Sequence, residues 1–182
     1  RVQDHPREMG MFPGSLSRYL PAVRKSVGPF ILLDRFRQTG RVEPNPNNRP
    51  TGELAHPHRG FTTLSYALIG SGEHYDSRGN HISTEQGGVL WMNAGNGIVH
   101  DDHPRFGATP EEFADGFQFW INLQPESKVK SPDVRYVSSA DVPKVDLPDG
   151  AGKVRILLGA LSGAASPLPM DSEQFLFHCR LE

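Results

Sequence analysis

His56-Pro57-His58-Arg59-Gly60-Phe61-Thr62-Thr63-Leu64-Ser65-Tyr66-Ala67-Leu68-Ile69-Gly70-Ser71-Gly72 is the stretch that decides the fold and points to the site. From Phe61 to Ile69, β-branched, aromatic and aliphatic side chains alternate in part with polar ones, and a Gly-Ser-Gly turn ends the run. That is a strand. Just before it, His56 and His58 stand two residues apart, so on extended backbone their imidazoles share one face.

The same reading extends outward in both directions. Pro29 to Phe36 reads as a buried strand, and Gln38 to Thr51, rich in proline and asparagine, as an exposed loop leading to His56. Downstream, Gly79-Asn80 marks the turn of a polar hairpin between Glu73 and His81. Gln86-Gly87-Gly88 turns the chain into Val89-Leu90-Trp91-Met92, and Asn93-Ala94-Gly95-Asn96-Gly97 turns it again before Ile98-Val99-His100. Phe117 to Leu123 is mostly apolar, as in a strand buried on both faces. Further strands are expected at Val134 to Val137, Val154 to Leu161 and Phe175 to Leu181. The helix signals are weak: a capping threonine before Pro110-Glu111-Glu112, and a short turn at Ser139 to Val142. Nineteen glycines and sixteen prolines cut the chain into such short pieces, which assigns it to the all-β class.

His100 and Asp102, in Gly97-Ile98-Val99-His100-Asp101-Asp102, repeat the two-residue spacing. Two such pairs can close on one metal ion. Several imidazoles with one carboxylate, leaving positions open, is how non-haem iron enzymes hold substrate and dioxygen. A lone His-x-His pair often lies on an exposed loop, and it is the second pair that makes the case. Asp101 and His103 point to the opposite face and are rim residues. His74 and His81, in the polar hairpin, are expected in solvent. Arg59 is expected to pair with an acid. Trp91, Phe117, Phe119 and Trp120 offer flat stacking surfaces, which on barrel strands more often form core.

Composition narrows the function classes. A net charge of −2 with no dense run of Lys or Arg excludes a direct nucleic-acid footprint. The single cysteine, Cys179, cannot form an internal disulfide, reads as a small packed hydrophobe, and fits a reducing compartment. No apolar run approaches the roughly 20 residues of a membrane helix, and Arg1 to Arg7 lacks a secretory apolar segment. The expectation is a soluble intracellular protein.

Several blocks in order resemble the pirin family of the cupin superfamily. They are Val27-Gly28-Pro29-Phe30 with Asp34 and Phe36, the His56 to Phe61 block, Gly72-Glu73-His74 with Asp76-Ser77 and Gly79-Asn80, Trp91 to Gly95, Gly97 to His100, and Gly116 to Leu123. The resemblance implies a cupin-type antiparallel β-barrel of the jelly-roll kind. It implies a division into residues 1–160, the N-terminal barrel with the metal site, and residues 161–182, the start of an incomplete second barrel. The implied metal is Fe(II), or another divalent ion, with His56, His58, His100 and Asp102 as ligands, Asp102 standing where the family has glutamate. The chain departs from the family pattern there, at Thr62, where glutamate is usual, and at Asp115, where histidine is common. The shorter Asp102 leaves open a centre of three ligands, or a carboxylate acting through water.

Two functions follow from the resemblance. One is a quercetin 2,3-dioxygenase-like enzyme taking a flavonol or related aromatic substrate and dioxygen. The other is a non-enzymatic, redox-sensing regulatory module of the transcriptional co-regulator type that docks a protein partner. The catalytic residues beyond the ligands are not identifiable from the sequence. Localisation is expected to be cytoplasmic, and also nuclear if the source is eukaryotic, with no membrane contact and with self-association through the C-terminal strand as one option.

Overall fold

In the computed structural model the described residues are 6–10, 14–39, 50–105 and 113–182. The helix signal at Thr109 to Glu112, the extreme N-terminus and most of the loop before Thr51 lie outside them.

Seven strands, numbered in chain order, build the largest sheet. Their spatial order is β1 (Arg7–Gly10), β2 (Gly14–Leu20), β3 (Phe30–Thr39), β10 (Phe113–Asn122), β5 (Phe61–Ile69), β8 (Val89–Asn93) and β11 (Asp133–Val137). A four-stranded sheet runs β4 (His56–His58), β9 (Ile98–Arg105), β6 (Ser71–Asp76), β7 (His81–Thr84). A three-stranded sheet runs β12 (Lys144–Asp146), β13 (Gly152–Leu158), β16 (Leu176–Leu181), and β14 (Ala160–Leu161) pairs with β15 (Ala164–Ala165). All pairing is antiparallel. The only helical pieces among the described residues are single 3-10 turns at Pro125–Ser127 and Pro148–Gly150. The all-β expectation holds, and the cupin-type architecture takes the form of facing sheets.

The register shows how the large sheet uses both faces. Thr63 stands between Trp120 and Met92, and Leu64 between Phe119 and Trp91. Side chains in one row share a face. The Thr63 row faces the four-stranded sheet, where Trp120 meets His58 and Met92 packs with Ala94 and Ile98. The Leu64 row faces the C-terminal strands: Leu64, Tyr66, Val89 and Trp91 form one buried cluster with Val142, Leu157, Leu158 and Leu168. Burial on both faces is why β10 reads as a mostly apolar run rather than a clean alternation. β13 and β16, on either side of residue 160, pair with each other.

Two departures from the family pattern lie buried in the large sheet. Asp115, 2% exposed, receives Arg35 through two parallel hydrogen bonds of 2.9 and 2.6 Å. It is a structural anchor between β10 and β3. Thr62, also buried, sits opposite Ile121 and Asn93 within the sheet.

A polar link ties the large sheet to the C-terminal strands. The Tyr66 hydroxyl and Nδ1 of His178 are hydrogen-bonded over 2.8 Å. Burial, then the charges of Arg155 and Arg180, push the His178 pKa below its ordinary 6.5. The neutral ring is therefore favoured by folding. A depressed folded pKa means that this stabilisation is complete above the unfolded value and is lost as pH falls beneath it. Between about pH 7 and about pH 5, urea unfolding is expected to show a larger loss of stability for wild type than for His178→Asn, whose amide does not titrate. Equal losses would show that His178 is not the titrating link.

Candidate metal centre

β4 and β9 pair so that His56 lies directly opposite His100 and His58 opposite Ile98. The pleat then sends His56, His58 and His100 to one face. Two turns fix this approach. Gly60, at φ +78°, reverses the chain from β4 into β5, and Gly95, at φ +43°, begins the turn into β9. The Gly60 N–H donates to the Gly95 carbonyl over 2.9 Å, joining the two turns.

The three imidazoles form a tight group, with ring centroids 4.4 Å apart for His56–His100, 4.7 Å for His56–His58 and 4.8 Å for His58–His100. One nitrogen from each lies within 4.8 Å of the other two. His58 and His100 are buried, whereas His56 is exposed, so the group opens to solvent on the β4 side. Phe61 and Trp120, stacked at 4.4 Å, wall it on the other: both rings pack edge-on to His58.

Hydrogen bonds orient the ring nitrogens. Nδ1 of His56 donates to the Leu54 carbonyl over 2.7 Å, so its Nε2 carries a lone pair. That Nε2 lies 3.1 Å from Nε2 of His100. With imidazole–metal bonds of about 2.0–2.1 Å, this separation corresponds to an N–metal–N angle of about 98°, between octahedral and tetrahedral values. Nε2 of His58 is buried with no hydrogen-bond partner, which is costly unless a cation uses its lone pair. Burial, then the proximity of His100 and His56, lowers the His58 pKa to about 4, so the ring is neutral at neutral pH. Three converging imidazole nitrogens fit a divalent metal.

Asp102, the expected fourth ligand, stands beside His100. Its carboxyl, about a third exposed at 36%, accepts from Nδ1 of His74 over 2.6 Å and lies 3.0 Å from Nδ1 of His100. The latter contact has an ion-pair distance but an angle short of a straight hydrogen bond. Burial opposes ionisation, yet His100 and His74 outweigh it and hold the Asp102 carboxyl well below the usual carboxylate range. The geometry brings together His56, His58 and His100 on one side, and Asp102 with His74 and His100 on the other.

His74 is the main surprise. Expected in solvent, it is 1% exposed, because β6 pairs with β9 and sets His74 opposite Asp102 and Asp76 opposite His100. Its Nε2 lies 3.1 Å from Asp76. Burial works against protonation, but Asp102 and Asp76 together raise the His74 pKa. The overlooked signal was spacing: His74 and Asp76 repeat the two-residue interval of the other pairs. His81, as expected, is exposed; it stacks on Tyr75 and bonds the buried Glu73. Asp101 and His103 occupy the opposite face and pair with each other over 2.9 Å, and Asp101 also receives the Gly52 N–H. Arg59 is exposed, and no ion pair to it occurs among the described residues, contrary to the expected pairing. Of the four aromatic candidates, only Trp120 faces the imidazoles; Trp91 and Phe119 are core, and Phe117 carries Arg35.

A sequence profile of the pirin family matches residues 14–121. Pirin-like protein 2 of Arabidopsis thaliana is 36% identical over 145 residues, which is 80% of this chain and 40% of that protein. A Pseudomonas aeruginosa protein provisionally named a quercetin 2,3-dioxygenase is 37% identical over 131 residues, 72% of this chain and 43% of that one. The chain thus spans less than half the length of these curated relatives. The crystal structure of quercetin 2,3-dioxygenase from Acinetobacter baumannii superimposes with a TM-score of 0.78 at 24% identity, covering 95% of this chain and 60% of that one. Together with the His-Pro-His and Gly-Ile-Val-His blocks, whose histidines the fold brings to one point, the profile match over more than half of its length shows that this chain belongs to the pirin family of cupins.

Proposed function

We propose that this domain is an Fe(II)-dependent dioxygenase of the quercetinase type, acting on a flavonol or a similar aromatic substrate with adjacent oxygens. The observation that carries this reading is the convergence of three imidazole nitrogens, two of them 3.1 Å apart, beside a wall of Phe61 and Trp120. His56, His58 and His100 would hold the metal. When bound, the metal supplies open positions for a chelating substrate and dioxygen, and the Lewis acidity that lowers the substrate hydroxyl pKa. Trp120 and Phe61 present flat faces against which an aromatic substrate can be oriented and water excluded. His56, the exposed ligand, marks the entrance.

The test is oxygen uptake by protein loaded with iron under anaerobic conditions and then given quercetin and air. Quercetin absorbance is expected to decay with stoichiometric oxygen consumption, and not with the metal-free protein. An iron-loaded protein that binds quercetin without consuming oxygen would overturn the enzyme reading in favour of a regulatory binding module.

A further inference from the structure

Behind the three histidines runs a second line of groups that the proposed chemistry leaves unused. Asp76, His74 and Asp102 lie on one face of β6 and β9, and Asp102 then meets His100. Each end of the His74 ring faces a carboxylate: Nδ1 at 2.6 Å from Asp102 and Nε2 at 3.1 Å from Asp76. Nδ1 is thus taken up by Asp102 and Nε2 by Asp76. Asp76 is itself held from the other side. Its Oδ1 accepts from the backbone N–H groups of Arg78 and Asn80 at 2.8 and 3.1 Å, and its Oδ2 from the Asn80 side chain at 2.8 Å. The Gly79-Asn80 turn thus anchors Asp76, Asp76 anchors His74, and His74 grips Asp102.

This chain bears on the coordination of the metal. Asp102 lies next to His100, yet its Oδ1 is hydrogen-bonded to His74 and stands 3.0 Å from Nδ1 of His100, while Nε2 of His100 faces His56. Asp102 groups with His74 and His100 and not with His56 and His58, so a short carboxylate held by His74 stands outside the three-imidazole group. We propose that His74 is a positioning residue that sets the coordination number: by gripping Asp102 it keeps that carboxylate behind His100 and leaves the metal with three protein ligands. This inference rests on the three-histidine centre proposed above. It assigns a purpose to a buried, doubly bonded histidine that would otherwise be an expensive way to fill space.

Amide geometry supplies a discriminating pair of variants. The Asn side chain places its nitrogen near where Nδ1 of a histidine lies, and Gln near where Nε2 lies. His74→Asn can keep a donor on Asp102; His74→Gln serves Asp76 and releases Asp102. Each variant, with Asp102→Asn and the His74→Gln/Asp102→Asn double variant, would be loaded with cobalt(II). Visible ligand-field spectra then report the coordination number, and chelator competition the affinity. Wild type, Asp102→Asn and His74→Asn are expected to share one band pattern. His74→Gln should weaken and shift the bands as the carboxylate joins, with affinity raised rather than lowered by the roughly 10–100-fold that loss of a group behind the ligands typically costs. The double variant should return to the wild-type pattern. An altered spectrum for Asp102→Asn alone would overturn the proposal, since Asp102 would already be a ligand, as would an unchanged spectrum for His74→Gln. Failure of wild type to take up cobalt would instead overturn the metal centre, and this inference with it.

Discussion

His100→Ala is expected to strip the protein of metal. His100 is the hub of the centre: its Nε2 faces that of His56 at 3.1 Å, its ring lies 4.8 Å from that of His58, and its Nδ1 lies 3.0 Å from Asp102. Removing a ligand from a set of three should cost more than the roughly 10–100-fold typical of changes to groups behind the ligands, so a loss of more than about 100-fold in affinity is expected. Mass-spectrometric metal analysis after iron reconstitution should find about one iron per chain in wild type and under about a tenth of that in the variant. The fold should survive, because Asp102 retains His74 and β9 keeps its ladder to both β4 and β6. Circular dichroism would confirm it. Iron near one per chain in His100→Ala would place the metal elsewhere.

That expectation could be written from the sequence because a period of two is a local property of extended backbone. His56 and His58, then His100 and Asp102, are assigned to a common face by counting alone. The run from Phe61 to Ile69 was legible for the same reason and forms β5 with those limits. What counting cannot supply is the partner strand. His74 lies in a segment that looks like a solvated hairpin, and only the β6–β9 pairing buries it against Asp102. The contact of Asp102 with His74 was hidden too, because it depends on the same β6–β9 pairing. Arg35 and Asp115 are 80 residues apart, a pairing fixed by register rather than by any nearby motif. The buried face of the large sheet is another long-range product: Leu64 and Trp91 are covered by Leu157, Leu158 and Leu168, from a part of the chain with no local mark of its destination.

Gly95→Ala is expected to damage both stability and the metal centre. The turn Asn93-Ala94-Gly95-Asn96-Gly97 was visible as a glycine-rich reversal, but the structure shows why this particular glycine is required. At φ +43° any side chain is strained, and a Cβ would stand 2.2 Å from the Lys130 carbonyl oxygen. That oxygen cannot simply swing aside, because it accepts the Asn96 N–H over 2.8 Å. The left-handed backbone costs about 1–2 kcal/mol for an L-residue. The forced shift of packed backbone adds about 1–3 kcal/mol. A loss of about 3 kcal/mol in urea unfolding, or about 6–12 °C in melting temperature, follows. Gly79→Ala is the control: it also has positive φ, +85°, but nothing lies within 4 Å of its Cβ, so only the conformational part should appear. Because the Gly95 carbonyl receives the Gly60 N–H, displacement of this turn also pulls His58 away from His100, and weaker iron binding should accompany the lower stability. A Gly95→Ala protein no less stable than Gly79→Ala would show that the Lys130 segment yields freely, and that these turns do not fix the distance between the ligand strands.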